Sequence, residues 1–139
     1  MFEKIAFIGA GSMGEAIMSG LIAQQVVNRS QIYVTNKTDE ARLKELQKKY
    51  SVHTSYDKEK VLKDASVVLL TMKPYDLEEA LTSIVPYVKE DQLIISVAAG
   101  QPIDYIASLL QTKNPIVRAM PNTSASIGLS ATALAAGVM

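Results

Sequence analysis

Residues Lys4 to Ile17 read Lys-Ile-Ala-Phe-Ile-Gly-Ala-Gly-Ser-Met-Gly-Glu-Ala-Ile. This stretch constrains the fold more than any other. Ile5, Ala6, Phe7 and Ile8 form a short apolar run, the pattern of a strand covered on both faces. Gly9, Gly11 and Gly14 then fall in the spacing G-x-G-x-x-G. Gly9 permits a tight turn out of the strand, and Gly11 lets the backbone approach a pyrophosphate with no Cβ in the way. Gly14 lets the following helix pack close to the strand. The unpaired N–H groups and the positive dipole end of that helix face an anion. The spacing alone is weak evidence, but here it follows a strand and opens a helix, which is the context a dinucleotide fingerprint requires. The competing reading is a glycine-rich turn with no ligand.

The rest of the chain repeats the strand–helix theme. A first helix is expected over Ser12 to about Gln24, with Met13, Ile17 and Leu21 inward, and Met13 and Met18 as core fillers. Gln31 to Thr35 reads as the second strand, with Asn36-Lys37-Thr38 as its exit. Thr38 or Asp39 caps a helix to about Tyr50, with Leu43 and Leu46 inward. Arg42, Lys44, Glu45, Lys48 and Lys49 fall mostly on its solvated face. Ser51 to Thr54 suits a short strand and Asp57 to Lys63 a brief helix. Ser66 to Thr71 is apolar enough to be central, and Met72-Lys73-Pro74 ends it, since Pro74 cannot continue the ladder. A helix follows over Leu77 to Val88, ended or kinked by Pro86. Gln92 to Val97 is the next strand, with Ala98-Ala99-Gly100 as its exit. Pro102 starts a helix through Leu110, and Pro115 to Ala119 is a sixth strand stopped by Pro121. Ser130 to Ala136 suits a further strand. This alternation predicts an α/β fold: a doubly wound, mostly parallel, Rossmann-type sheet with helices on both faces.

Charge and composition narrow the partners. The 139 residues form one domain, with Lys and Arg balancing Asp and Glu at 14 each, so no strong field recruits nucleic acid or a membrane surface. No apolar run reaches the roughly 18 residues of a membrane helix. There is no cysteine and hence no thiolate metal site, which fits a cytoplasmic protein. No metal is indicated. The N-terminus enters a strand almost at once and does not read as a secretory signal. The C-terminal stretch reads as ordered and apolar, so the chain is expected to be truncated.

In an open parallel sheet, ligands bind beyond the carboxyl ends of the strands. The exits at 9–14, 36–38, 72–74 and 98–100 would form a continuous shelf for an extended dinucleotide. The candidate cofactor-binding residues are Gly9, Ala10, Gly11, Ser12, Met13, Gly14, Asn36, Lys37, Thr38, Met72, Lys73, Pro74, Ala98, Ala99 and Gly100. An NAD site usually carries an acid at the second exit, to accept from the ribose 2′-OH. Asn36, Lys37 and Thr38 instead offer a cation and neutral hydrogen-bonding groups, which suit a 2′-phosphate and favour NADPH, with NADH still possible. The alternative for Lys37 is a solvated turn lysine. Lys73 contacts a cofactor ribose or a nearby carbonyl, or else is a surface lysine. His53, the only histidine, lies away from every exit and is not expected to be catalytic. No catalytic residue can be named.

Taken together, these blocks resemble the N-terminal part of pyrroline-5-carboxylate reductases. The matching residues are Phe7 to Gly14, Thr35 to Thr38, Met72 to Pro74, Ser96 to Gly100 and Val117 to Thr123. The first block is shared by many dehydrogenases. Arginine followed by Met120-Pro121-Asn122-Thr123 and small residues to Gly128 is more specific. The resemblance covers essentially the whole chain. It implies reduction of 1-pyrroline-5-carboxylate to L-proline by NADPH, or less often NADH. It also implies that Met72-Lys73-Pro74 and Ala98-Ala99-Gly100 lie toward the nicotinamide, and that Asn122 and Thr123 border the substrate region. A protonated imine is already electrophilic, which accords with a site poor in acid–base residues.

The family's second, helical domain is not in this chain, and it supplies the dimer interface and most substrate-carboxylate contacts. A homo-oligomer is therefore implied for a full-length member. Lys37 stands where the family often has arginine, which softens a phosphate preference. Asp57 stands where many members have asparagine, facing the adenosine side. Two other readings stay open: the cofactor domain of a β-hydroxyacid-type dehydrogenase, and a non-catalytic dinucleotide-binding module.

Overall fold

The computed structural model describes residues 4–25, 27–97, 102–110 and 113–118. The apolar runs become the strands β1 (Ile5–Ile8), β2 (Ile32–Thr35), β3 (His53–Thr54), β4 (Val67–Leu70), β5 (Leu93–Ser96) and β6 (Ile116–Arg118). Between them lie the helices α1 (Ser12–Ala23), α2 (Glu40–Tyr50), α3 (Lys58–Leu62), α4 (Leu77–Ile84) and α5 (Ile103–Leu110). All strand pairs are parallel, in the order β3-β2-β1-β4-β5-β6. The order reverses at β1, so the carboxyl ends of β1, β2 and β4 border the topological switch point.

Period-two alternation explains why both faces are covered. Ile5 and Phe7 of β1 pack with Val67 and Leu69 of β4, against Met18 and Leu21 of α1 and Leu43 and Leu46 of α2. Ala6 and Ile8 point the other way, with Val68 and Leu70, toward Leu62 of α3, Leu77 and Leu81 of α4 and Ile106 of α5. Every residue of β1 and β4 is buried, as the near-continuous apolar runs require. The Rossmann-type α/β fold read from the sequence is the one observed.

The local differences have physical causes. α4 ends at Ile84 and a 3-10 turn runs Val85–Tyr87, because Pro86 has no N–H for the helix ladder. At the start of α2 the capping residue is Asp39, whose carboxylate accepts from the Arg42 backbone N–H at 3.0 Å. A turn of 3-10 helix at Arg29–Gln31 takes the first residue expected of β2. Met18 is fully buried and Met13 packs at the edge of the same cluster. The candidates Ala98, Ala99, Gly100, Asn122 and Thr123, and the strand expected over 130–136, lie outside the described residues. Among the described residues, no helix is long and apolar enough to cross a membrane.

Candidate functional site

Beyond the ends of β1, β2 and β4 lies a cleft of about 540 Å³, within the usual size of small-molecule sites. Its floor is the glycine turn. Gly9 has φ +114°, and a Cβ there would stand 2.9 Å from the Met72 backbone nitrogen. Its own N–H donates to the Thr35 carbonyl at 2.8 Å, tying the turn to the end of β2. A Cβ on Gly14 would meet Thr71 Oγ1 at 3.0 Å and the Gly9 carbonyl at 3.3 Å, so α1 approaches β4 only because residue 14 is glycine. Gly11 differs: a Cβ there would meet nothing within 4 Å. The space beside it is open, and the protein itself has no use for the missing side chain.

Gly11 is also the N-cap of α1, and no side chain caps the helix there. Its first-turn amides thus lack a capping side chain, the arrangement that anion sites at helix starts use. The turn is held from both sides. Thr71, buried just past β4, donates from its hydroxyl to the Gly9 carbonyl at 3.0 Å. From the other side, Arg42 of α2 donates from Nε to the Ala10 carbonyl at 2.6 Å and from a terminal nitrogen to the Gly11 carbonyl at 3.3 Å.

The placement of Arg42 corrects the expectation that it belongs to a solvated face. Only 20% of its side chain is exposed, and it pairs with Glu15 at 2.7 Å and Glu45 at 2.8 Å. Helical periodicity points Arg42 away from the α2 core stripe, but α1 and the glycine turn stand beside that flank. Lys49, with 56% of its side chain exposed, reaches the same Glu15 carboxylate at 2.7 Å. Lys49, Tyr50 and Arg42 all hydrogen-bond the Glu15 carboxylate, in that order of effect, and hold its pKa down at about 2.

The second exit supplies the side wall. Asn36, Lys37 and Thr38 line the cleft together with Gly9, Ala10 and Gly11. Asn36 donates from Nδ2 to the Asp39 carbonyl at 2.9 Å, while its buried Oδ1 has no partner among the described residues. Buried acceptors are rarely left so, and this one suits a ribose hydroxyl. Lys37 is ion-paired to Glu79 of α4 at 2.9 Å, a partner its place in a turn does not reveal.

A third cation, Lys58, also faces the cleft. It donates to Thr35 Oγ1 at 3.0 Å and to the Asn36 carbonyl at 3.1 Å. Partial burial alone lowers its pKa, and no carboxylate pairs with it among the described residues. Of its three N–H donors, two are committed to this exit. Sequence reasoning passed over Lys58 as part of a brief helix. The available signal was its place just after the Asp57 cap, where the chain turns back over β2.

Met72 and Lys73 line the cleft beyond β4, next to an exposed Tyr75, while Pro74 opens the 3-10 turn Pro74–Asp76. Ser12, Met13 and Gly14 stand behind the lining, in the first turn of α1. Asp57 is outside the lining and caps α3, accepting from the Lys60 backbone N–H at 3.3 Å. His53 stacks on Tyr33, ring centroids 4.5 Å apart, on the edge strand and away from the cleft.

Comparison with known proteins agrees with this fold. Over 131 residues the chain is 46% identical to a protein of Staphylococcus haemolyticus named pyrroline-5-carboxylate reductase, which takes in 94% of this chain and 48% of that one. The chain thus spans about half the length of the curated relatives it matches. A solved pyrroline-5-carboxylate reductase from Coxiella burnetii superposes with a TM-score of 0.80 at 35% identity, covering 90% of this chain and 46% of the other. The Plasmodium falciparum pyrroline carboxylate reductase, solved with NADP bound, superposes at 0.73 over 89% of this chain and 44% of its own. At 21% identity that likeness is one of fold. Residues 4–100, the span from β1 through the exit of β5, match the family model described as NADP oxidoreductase, coenzyme F420-dependent, and the chain belongs to that family.

Proposed function

We propose that this chain is the cofactor-binding part of a pyrroline-5-carboxylate reductase, working with NADPH and able to accept NADH. The observation that carries the reading is 46% identity across 94% of the chain to a protein of that name. The cleft supports it, because its residues fit a dinucleotide. The open space at Gly11 and the uncapped start of α1 suit a pyrophosphate. Asn36 Oδ1, Lys37 and Lys58 suit the ribose end, where cations favour a 2′-phosphate.

In this reading the backbone of residues 9–14 holds the pyrophosphate. Arg42 and Thr71 keep that backbone in place through the carbonyls they bind. Met72, Lys73 and Pro74, with Ala98, Ala99 and Gly100, flank the nicotinamide half, and Asn122 and Thr123 border the imine. The bound nicotinamide supplies the hydride. The protein's task is then to hold the C=N carbon of 1-pyrroline-5-carboxylate against it, and positioning of this kind contributes about 7–11 kcal/mol to a barrier. The same proposal assigns the substrate-carboxylate contacts and the homo-oligomer interface to the part of the reductase outside the matched half. It sets the reaction in the cytoplasm.

The test joins this chain to the unmatched half of the Staphylococcus haemolyticus relative. NADPH oxidation that depends on 1-pyrroline-5-carboxylate and yields L-proline is expected. A folded, NADPH-binding fusion that oxidises the cofactor with a β-hydroxyacid-derived ketone and ignores the imine would overturn the reading. A Lys37→Glu change should turn the preference toward NADH, because it replaces a cation with a ribose-hydroxyl acceptor.

A further inference from the structure

The cleft is crossed by an ion pair that joins its two walls. Lys37 follows β2 and Glu79 sits in the first turn of α4, the helix that follows β4, and β2 and β4 flank β1 on opposite sides. Lys37 Nζ donates to Glu79 Oε2 at 2.9 Å, with 66% and 63% of the two side chains exposed. Resting on the proposal that a dinucleotide occupies this cleft, we propose that Glu79 is a specificity-determining residue, which lowers the preference for a 2′-phosphate by holding Lys37.

Two anions compete for Lys37. A phosphate monoester near neutral pH carries about −1.5 to −2 charges. To reach Lys37 it must displace the Glu79 carboxylate, which then remains beside it as a like charge. Asp76, also on the cleft and felt by Lys37, adds to the repulsion. A 2′-hydroxyl is neutral and meets neither cost. Lys37 is the cleft cation that Glu79 pairs with. Arg42 is committed to Glu15, Glu45 and the turn carbonyls, Lys58 gives two of its three N–H donors to Thr35 and Asn36, and Lys73 follows β4, across β1 from the exit of β2 that carries Lys37. An exposed pair such as Lys37–Glu79 is weak and screened by salt, so a ligand can open it. It therefore modulates selectivity without blocking the site.

The experiment is a fluorescence titration of the 139-residue chain with NADPH and with NADH at low ionic strength. It compares the wild type, Glu79→Gln, Glu79→Lys, and Glu79→Gln combined with Lys37→Gln, with circular dichroism to show that each is folded. Glu79→Gln should tighten NADPH by about three- to fivefold and leave NADH within about twofold. Glu79→Lys should exceed that gain. The gain should shrink as salt is added and vanish in the double variant, since it acts through Lys37. If the two affinities move together, if neither moves, or if the gain survives without Lys37, the proposal is wrong. A wild-type chain that binds neither dinucleotide would overturn the cofactor reading as well, and is recognised before any variant is compared.

Discussion

Gly9 and Gly11 stand two residues apart in one turn, yet the structure asks different things of them. Gly9 combines φ +114° with a backbone nitrogen 2.9 Å from where a Cβ would stand. Gly9→Ala should therefore destabilise the fold, by at least about 1–3 kcal/mol for the strained backbone, read as a lowered Tm. Gly11 has open space around its Cβ position, so Gly11→Val should leave the melting curve nearly unchanged and abolish NADPH binding. A Gly11→Val chain that binds NADPH as the wild type does would show that the cofactor does not use this turn. The glycine spacing itself was legible in the sequence, because its signal is local. Arg42, Lys58 and Glu79 were not. Arg42 meets Ala10 and Glu15 at separations of 32 and 27 residues, and Lys37 meets Glu79 at 42. No periodicity within one element reports a contact of that kind.

At the scale of elements, α1 and α2 are joined beside the cleft through one carboxylate. Lys49, Tyr50 and Arg42 lower the Glu15 pKa from its ordinary 4.5 to about 2. A carboxyl depressed in the folded state contributes stability that is complete above its unfolded value and lost as pH falls through the folded one. The stability gap between wild type and Glu15→Gln should thus be full at neutral pH. It should close as pH drops from 4.5 toward 2. Denaturant midpoints at several pH values check this, and a gap that is constant across that window would contradict it. Arg42→Met removes the hold on the Ala10 and Gly11 carbonyls as well as the Glu15 pair. It should weaken NADPH binding roughly tenfold, as expected when a positioning contact near a ligand is lost. Arg42→Lys should not restore it, since an ammonium cannot reproduce the guanidinium fork. Element boundaries were read to within a few residues because prolines and glycines mark them. The end of α4 is the clearest case, with Pro86 stopping the helix at Ile84.

At the scale of the molecule, alternating apolar positions on β1 and β4 divide the core into two layers, and the reversal at β1 opens the cleft between β2 and β4. That architecture was legible because parallel strands buried on both faces are uniformly apolar. The assignment of Asn122 and Thr123 to a substrate region rests on resemblance alone, since these residues carry no signal of their own and lie outside the described residues. The chain spans 48% of its Staphylococcus haemolyticus relative, and under the proposed function the cofactor is held here and the substrate clamped by the other half. The most direct measurement is a paired one on the 139-residue chain: NADPH titration, and NADPH oxidation with 1-pyrroline-5-carboxylate on the same sample. Saturable NADPH binding that Gly11→Val abolishes is expected, with turnover at least a hundredfold below a typical enzyme's value of about 10 per second. No NADPH binding, or turnover near that typical value by this chain alone, would contradict the proposed function.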